Sequence, residues 1–155
     1  MMEEVIVRDP LTGLHNREYA LRDLDGYIEI YKRYRHPLSV LLLHVDSLKS
    51  VEDIFGSGVR HSVLEYLAEL VAMNVRAVDI SCRYAEDEFL VILPETTRRS
   101  ALRVGRRIAK LVQESRFKVG EASVTVKVSF GTASCPRDGV ETEALLQAAR
   151  INKAT

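Results

Sequence analysis

The stretch "PLSVLLLHV", residues 37–45, limits what this chain can fold into more than any other. A strand with one wet face alternates apolar and polar residues, whereas Leu38–Val45 is apolar almost throughout, behind a proline. Such a run reads as a strand buried on both faces, with helices on either side of its sheet. It is far too short to cross a bilayer, which takes about 20 apolar residues. The helices that must cover it are legible as amphipathic repeats. Arg17–Arg35 places Tyr19, Leu21, Leu24, Tyr27, Ile28 and Tyr31 along one side, and 59–75 does the same with Val63, Leu64, Leu67, Leu70 and Val71. A third repeat covers about 97–115, with Ala101, Val104, Ile108, Leu111 and Val112 inward, and "ETEALLQAARINKA" opens a last helix. "DSLKSVEDIFGSG" reads as a connection with a helical turn.

Two further segments read as strands. "RAVDISCRYAEDEF", residues 76–89, starts a hairpin with arms 78–84 and 88–93, closed by Pro94, and "SVTVKVSFGTAS" (123–134) alternates as one strand. A hairpin excludes a purely parallel sheet, so the fold class is α/β (α+β) with a mixed sheet. The hairpin tip carries Glu86, Asp87 and Glu88 in a row. Adjacent carboxylates repel unless a cation sits among them. A metal site, the remnant of one and a solvated turn are all open readings of that tip.

At 155 residues the chain fits a single domain, 1–155, which is expected to be truncated in its last helix. Lys plus Arg equals Asp plus Glu at 22 each, so no global field draws it to nucleic acid or to a membrane. Cys82 and Cys135 form neither a metal spacing nor a disulfide framework, and no signal peptide opens the chain. The expected location is the reducing cytoplasm.

Four stretches together carry a family resemblance: "DPLTGLHNR" (9–17), "HVDSLKSVED" (44–53), "RAVDISCRYAEDEF" (76–89) and "VSFGTASCPRDG" (128–139). Their order and spacing resemble the GGDEF domains of diguanylate cyclases from Asp9 to about Ala149. The resemblance implies a nucleotidyl-cyclase-like fold with a central five-stranded sheet wrapped by helices. Active members join two GTP into cyclic di-GMP across a homodimer with Mg²⁺ or Mn²⁺. Many carry a product-inhibition site, an Arg-x-x-Asp just upstream of the signature.

Set against the family's patterns, the catalytic positions are altered. The signature reads Ala85, Glu86, Asp87, Glu88, Phe89, so Glu86 brings bulk and charge where a glycine lies against the triphosphate. His44 replaces a metal carboxylate, and imidazole is a poor Mg²⁺ ligand. Asp87 matches the other metal carboxylate, and Asp46 and Lys49 remain as a strand-end cap and a surface charge or leftover phosphate contact. The guanine pattern N-D-x-x-G-H-x-x-G-D is matched by "EDIFGSGVRH", with Glu52 for the Asn and His61 for the final Asp. In the last helix Arg150 stands for the Asp of A-D-x-A-L-Y. The losses sum to roughly 4–8 kcal/mol, or three to six orders of magnitude in rate. No catalytic residue, metal or other cofactor is therefore expected; Mg²⁺ or Mn²⁺ belongs only to the cyclase alternative.

The inhibition motif stands in the family's register as Arg76 and Asp79, and Arg107 falls where some members place another arginine on the ligand, with Arg103 one turn earlier on the same face. Arg grips phosphates or a guanine edge bidentately, and Asp accepts from guanine N–H groups. The expected function is that of an inactive GGDEF domain acting as a cyclic di-GMP receptor, dimeric or dimerised by ligand, beside other signalling domains. The alternatives are an active diguanylate cyclase, a docking module without nucleotide, and a domain that keeps GTP as an allosteric ligand.

Overall fold

The structure, a computed structural model, describes residues 7–154. Along the chain run α1 (Arg17–Tyr34), β1 (Leu38–Val45), α2 (Leu48–Phe55), α3 (Ser57–Met73), β2 (Ile80–Ala85) and β3 (Glu88–Pro94). They are followed by α4 (Arg98–Glu114), β4 (Phe117–Val119), β5 (Ala122–Val124), β6 (Val128–Ser134), α5 (Thr142–Ile151) and β7 (Lys153–Ala154). The main sheet has five strands in the order β2-β3-β1-β6-β7, so β1 is central. Its side chains feed two cores in turn. Leu41, Leu43 and Val45 join residues of α2, α3 and α4, while Leu38, Val40 and Leu42 join residues of α1 and α5. Burial on both faces is why the run carries no polar alternation. Ser39, its polar member, is fully buried and satisfied by Thr96 O and Ser134 Oγ, both at 2.7 Å.

The strand pairings β1–β3, β1–β6, β2–β3 and β6–β7 are all antiparallel. A mixed sheet was expected; among the described residues the parallel element is the single bridge from His15 to Cys82 on the edge of β2. The helical connections from β1 to β2 and from β3 to β6 join strands that run the same way but are separated by one strand, so every adjacent pair is antiparallel.

Two boundaries differ from the sequence reading. Residues 74–79 form a turn between α3 and β2, because Asn74 bonds back to Leu70 O and Asp79 takes the Arg76 N–H. The segment 123–134 is not one strand. β5 pairs with β4 across Gly120 (φ +62°), and residue 127 is held to the end of β1 by the Asp46 N–H on Lys127 O at 2.9 Å. On α4 Val104 packs half-buried against the core, and Gly105 lies deeper still, since a Cβ there would lie 2.5 Å from the Phe130 ring.

α5 approaches β6 as closely: a Cβ on Gly131 would overlap the carbonyl oxygen of Ala149. Gly131→Ala should therefore cost about 1–3 kcal/mol by overpacking. Melting followed by circular dichroism should show a fall of roughly 2–4 °C per kcal/mol. An unchanged melting temperature would contradict this packing.

Candidate functional site

Register sets the site. β3 lies beside β1 with Glu88 opposite His44, and the Val45 N–H donates to Asp87 O at 2.9 Å, so the hairpin tip sits at the open end of the central strand. The tip is braced from behind by Arg83, which donates to Glu86 O at 2.9 Å and pairs with Asp9 at 3.5 Å. Asp9 in turn holds its own turn through the Thr12 N–H and hydroxyl, at 2.9 and 2.8 Å.

Each of the three tip acids has its own basic partner. His44 Nε2 lies 2.9 Å from Asp87 Oδ2, and its Nδ1 lies 2.8 Å from Asp46 Oδ1, so the ring bridges the two carboxylates. Arg60, on α3, pairs with Glu86 and with Glu52 (3.4 Å) and is largely buried despite its charge. Arg150, on α5, grips Glu88 bidentately at 2.7 and 3.2 Å, and this bond raises the arginine's pKa. Glu88, the first residue of β3, is only 9% exposed, while Glu86 and Asp87 in the turn itself stay open to solvent.

His44, Asp87, Glu88 and Arg150 line a cavity of about 310 Å³ with Ser129 and Lys153. Lys49 is exposed on α2 and His61 on α3. Arg60 was missed as a site residue. Its signal was present, because it stands at the ninth position of the guanine pattern, where the family has glycine.

The donor set does not fit a divalent metal centre of the family's kind. Mg²⁺ takes a cage of oxygens, whereas here an imidazole stands in that place and engages the remaining acids itself. Among the described residues, no group of three or more His, Cys, Asp or Glu is arranged to hold a metal.

A second site lies at the other end of the hairpin, in a cavity of about 490 Å³ lined by Arg76, Asp79, Thr96, Ser100, Val104 and Arg107 among others. Asp79, with its side chain 2% exposed, accepts from the Arg76 N–H at 2.7 Å, from Nε at 3.2 Å and from Nη2 at 2.7 Å. Nη2 also donates to Pro94 O and to Thr96 Oγ1, at 2.6 and 2.8 Å. The pair with Asp79 raises the pKa of Arg76. One edge of the guanidinium is thus fixed to the protein, and its half-exposed remainder faces the cavity. Arg107 enters from α4 and caps α3 by donating to Asn74 O at 2.6 Å.

Asp79 faces Arg76 and anchors it. One sequence expectation changes here. Arg103 does not share the cavity; it lines a separate depression with Arg98, Arg99, Leu102 and Arg106. Four residues advance a helix by about 400°, so Arg103 is turned by roughly 40° from Arg107 and set one turn back.

A central strand flanked by an acidic hairpin, with helices on both faces, defines a cyclase-like α/β domain. The family described as "Diguanylate cyclase, GGDEF domain" matches residues 6–154, and the chain belongs to it. It is 40% identical over 148 residues to the response regulator PleD of Caulobacter vibrioides, covering 94% of this chain and 33% of PleD. It is 31% identical over 126 residues to the diguanylate cyclase DosC of Escherichia coli, covering 81% of this chain and 27% of DosC. The chain thus spans about a third of the length of these curated relatives. Among solved structures it is similar to the GGDEF domain of TpbB (YfiN) from Pseudomonas aeruginosa, with TM-score 0.88, 26% identity and coverage of 94% and 85%. It is also similar to the diguanylate cyclase SiaD of Pseudomonas aeruginosa, solved with its activator SiaC, with TM-score 0.80, 30% identity and coverage of 95% and 59%.

His44→Asp removes the ring that joins Asp46 to Asp87 and leaves three carboxylates together. The variant should melt lower than wild type in chelator and recover on adding Mn²⁺, while wild type responds to neither. A wild-type melting temperature that rises with Mn²⁺ as strongly as the variant's would contradict the role given to His44.

Proposed function

We propose that this GGDEF domain does not make cyclic di-GMP but binds it through the Arg76 cavity, reporting the second messenger to a partner. The observation that carries this reading is a contrast between the two ends of one hairpin. At the tip, internal ion pairs (His44–Asp87, Arg60–Glu86, Arg150–Glu88) stand where metals, triphosphate and base would have to go. At the base, an open cavity presents two arginines; of the acids on its lining, Asp79 is anchored to Arg76 and Glu95 is engaged by His36. Arg76, preset by Asp79 and Thr96, loses little conformational freedom on gripping a phosphate or a guanine edge. Arg107 supplies a second cation, on the same molecule or on a neighbour bridged by the ligand.

Calorimetry with cyclic di-GMP should give a dissociation constant in the micromolar range or below, about −8 kcal/mol. Arg76→Ala removes charge-assisted bonds and should weaken binding about ten- to a hundred-fold. Arg107→Ala should mainly reduce ligand-driven dimerisation seen by light scattering. Incubated with GTP and Mg²⁺ or Mn²⁺, the protein should form no cyclic di-GMP. Measurable turnover would establish the active-cyclase reading instead. Absence of heat with cyclic di-GMP at high micromolar concentration would leave a docking module without nucleotide.

A further inference from the structure

Helix α4 violates two rules of helix electrostatics. Its first turn has Arg98 and Arg99 and no acid, and its last turn has no base, the reverse of what the macrodipole favours. Arg99–Arg103, Arg103–Arg107 and Arg106–Lys110 are like-charge pairs at i, i+4, each of which destabilises a helix. The exposed members make no ion pair among the described residues; Arg107 alone is engaged, with a carbonyl. In a chain with net charge zero, this segregates positive charge onto one face.

The face is not uniformly charged. Arg98, Arg99, Arg103 and Arg106 surround one shallow depression. Arg106 also borders a groove of about 830 Å³ between α4 and residues 125–128, where Lys110 and Lys127 flank a floor formed by Ala109, Val126 and Phe130. Cationic rim and apolar floor are thus continuous through Arg106.

We propose that α4 and this groove dock an acidic, partly apolar peptide segment of a partner protein, carboxylates on the arginines and apolar side chains in the groove. Arginine forks match carboxylates bidentately, which explains arginine rather than lysine along the helix. A nucleic acid fits less well: α4 has no aromatic residue for bases to stack on, and the basic run spans only about 18 Å. A membrane fits less well too, since α4 has no large exposed apolar side chain to insert. The proposed segment cancels the repulsion that the helix alone sustains.

The test is fluorescence anisotropy with a labelled peptide of alternating Glu and Leu, an all-Glu peptide, duplex DNA and vesicles containing phosphatidylglycerol. The Glu/Leu peptide should bind most tightly, and at least ten-fold more weakly to the double variant Arg99→Glu/Arg106→Glu. The variant should melt no lower than wild type, because it removes like-charge contacts. All-Glu binding as tight as Glu/Leu would overturn the role of the groove. Tighter binding of DNA or of vesicles, no peptide binding, or an unaffected double variant would overturn the proposal.

Discussion

The rest of the structure depends on β1 being buried on both faces. A strand with Leu41 and Leu43 on one side and Val40 and Leu42 on the other can only be central, with helices above and below. Central placement fixes the hairpin beside it, and the hairpin's register delivers three carboxylates to the end of β1. From there electrostatics takes over. Acids so close, one of them 9% exposed, need countercharge. In this chain it comes from His44, Arg60 and Arg150, each at a position where the family's pattern has a carboxylate or a glycine. The substitutions match one another. A lost metal ligand becomes an imidazole that bridges two carboxylates, and a lost glycine becomes an acid with a new arginine to face it. Each pair has one partner open to solvent, so a single pair contributes only about 0.2–1 kcal/mol, and it is the matching of all three that suits the altered residues to one another.

The hairpin joins two sites of opposite character. From Asp79 to the tip is six or so residues of strand, roughly 20 Å at 3.3 Å per residue. Arg76 is tied to both hairpin arms, through Asp79 before β2 and through Pro94 at the end of β3 and Thr96 beyond it. In our account, ligand binding at that end has no active tip to inhibit. The element that leads away from it is α4, whose Ser100, Val104 and Arg107 line the cavity and whose other face carries the arginines. One helix thus touches both the proposed ligand and the proposed partner.

Much of this was legible in the residues. The apolar run specified β1, the inward positions of α3 were read correctly, and the motif register placed His44 beside Asp87. Arg76, Asp79 and Arg107 do share a cavity. What escaped the sequence has physical reasons. Val75 and Val78 continue helical and strand patterns, so the turn at 74–79 is specified by side-chain bonds from Asn74 and Asp79 rather than by periodicity. Arg60 joins Glu52 and Glu86 across two elements, and such ion pairs leave no periodic trace. The acidic tip could not be resolved without knowing that α5 brings Arg150 onto Glu88. Arg103 was misplaced because an i, i+4 step conserves a face only approximately.

The central claim is that internal ion pairs have taken over the nucleotide cleft. It is tested most directly by titrating GTP, with Mn²⁺ present, into wild type and into the double variant Arg60→Gly/Glu86→Gly, which clears the arginine and its acid from the triphosphate and base positions. The account predicts no detectable heat from wild type and measurable binding by the variant. Wild-type binding as tight as the variant's would show that the cleft still accepts nucleotide and would contradict the account.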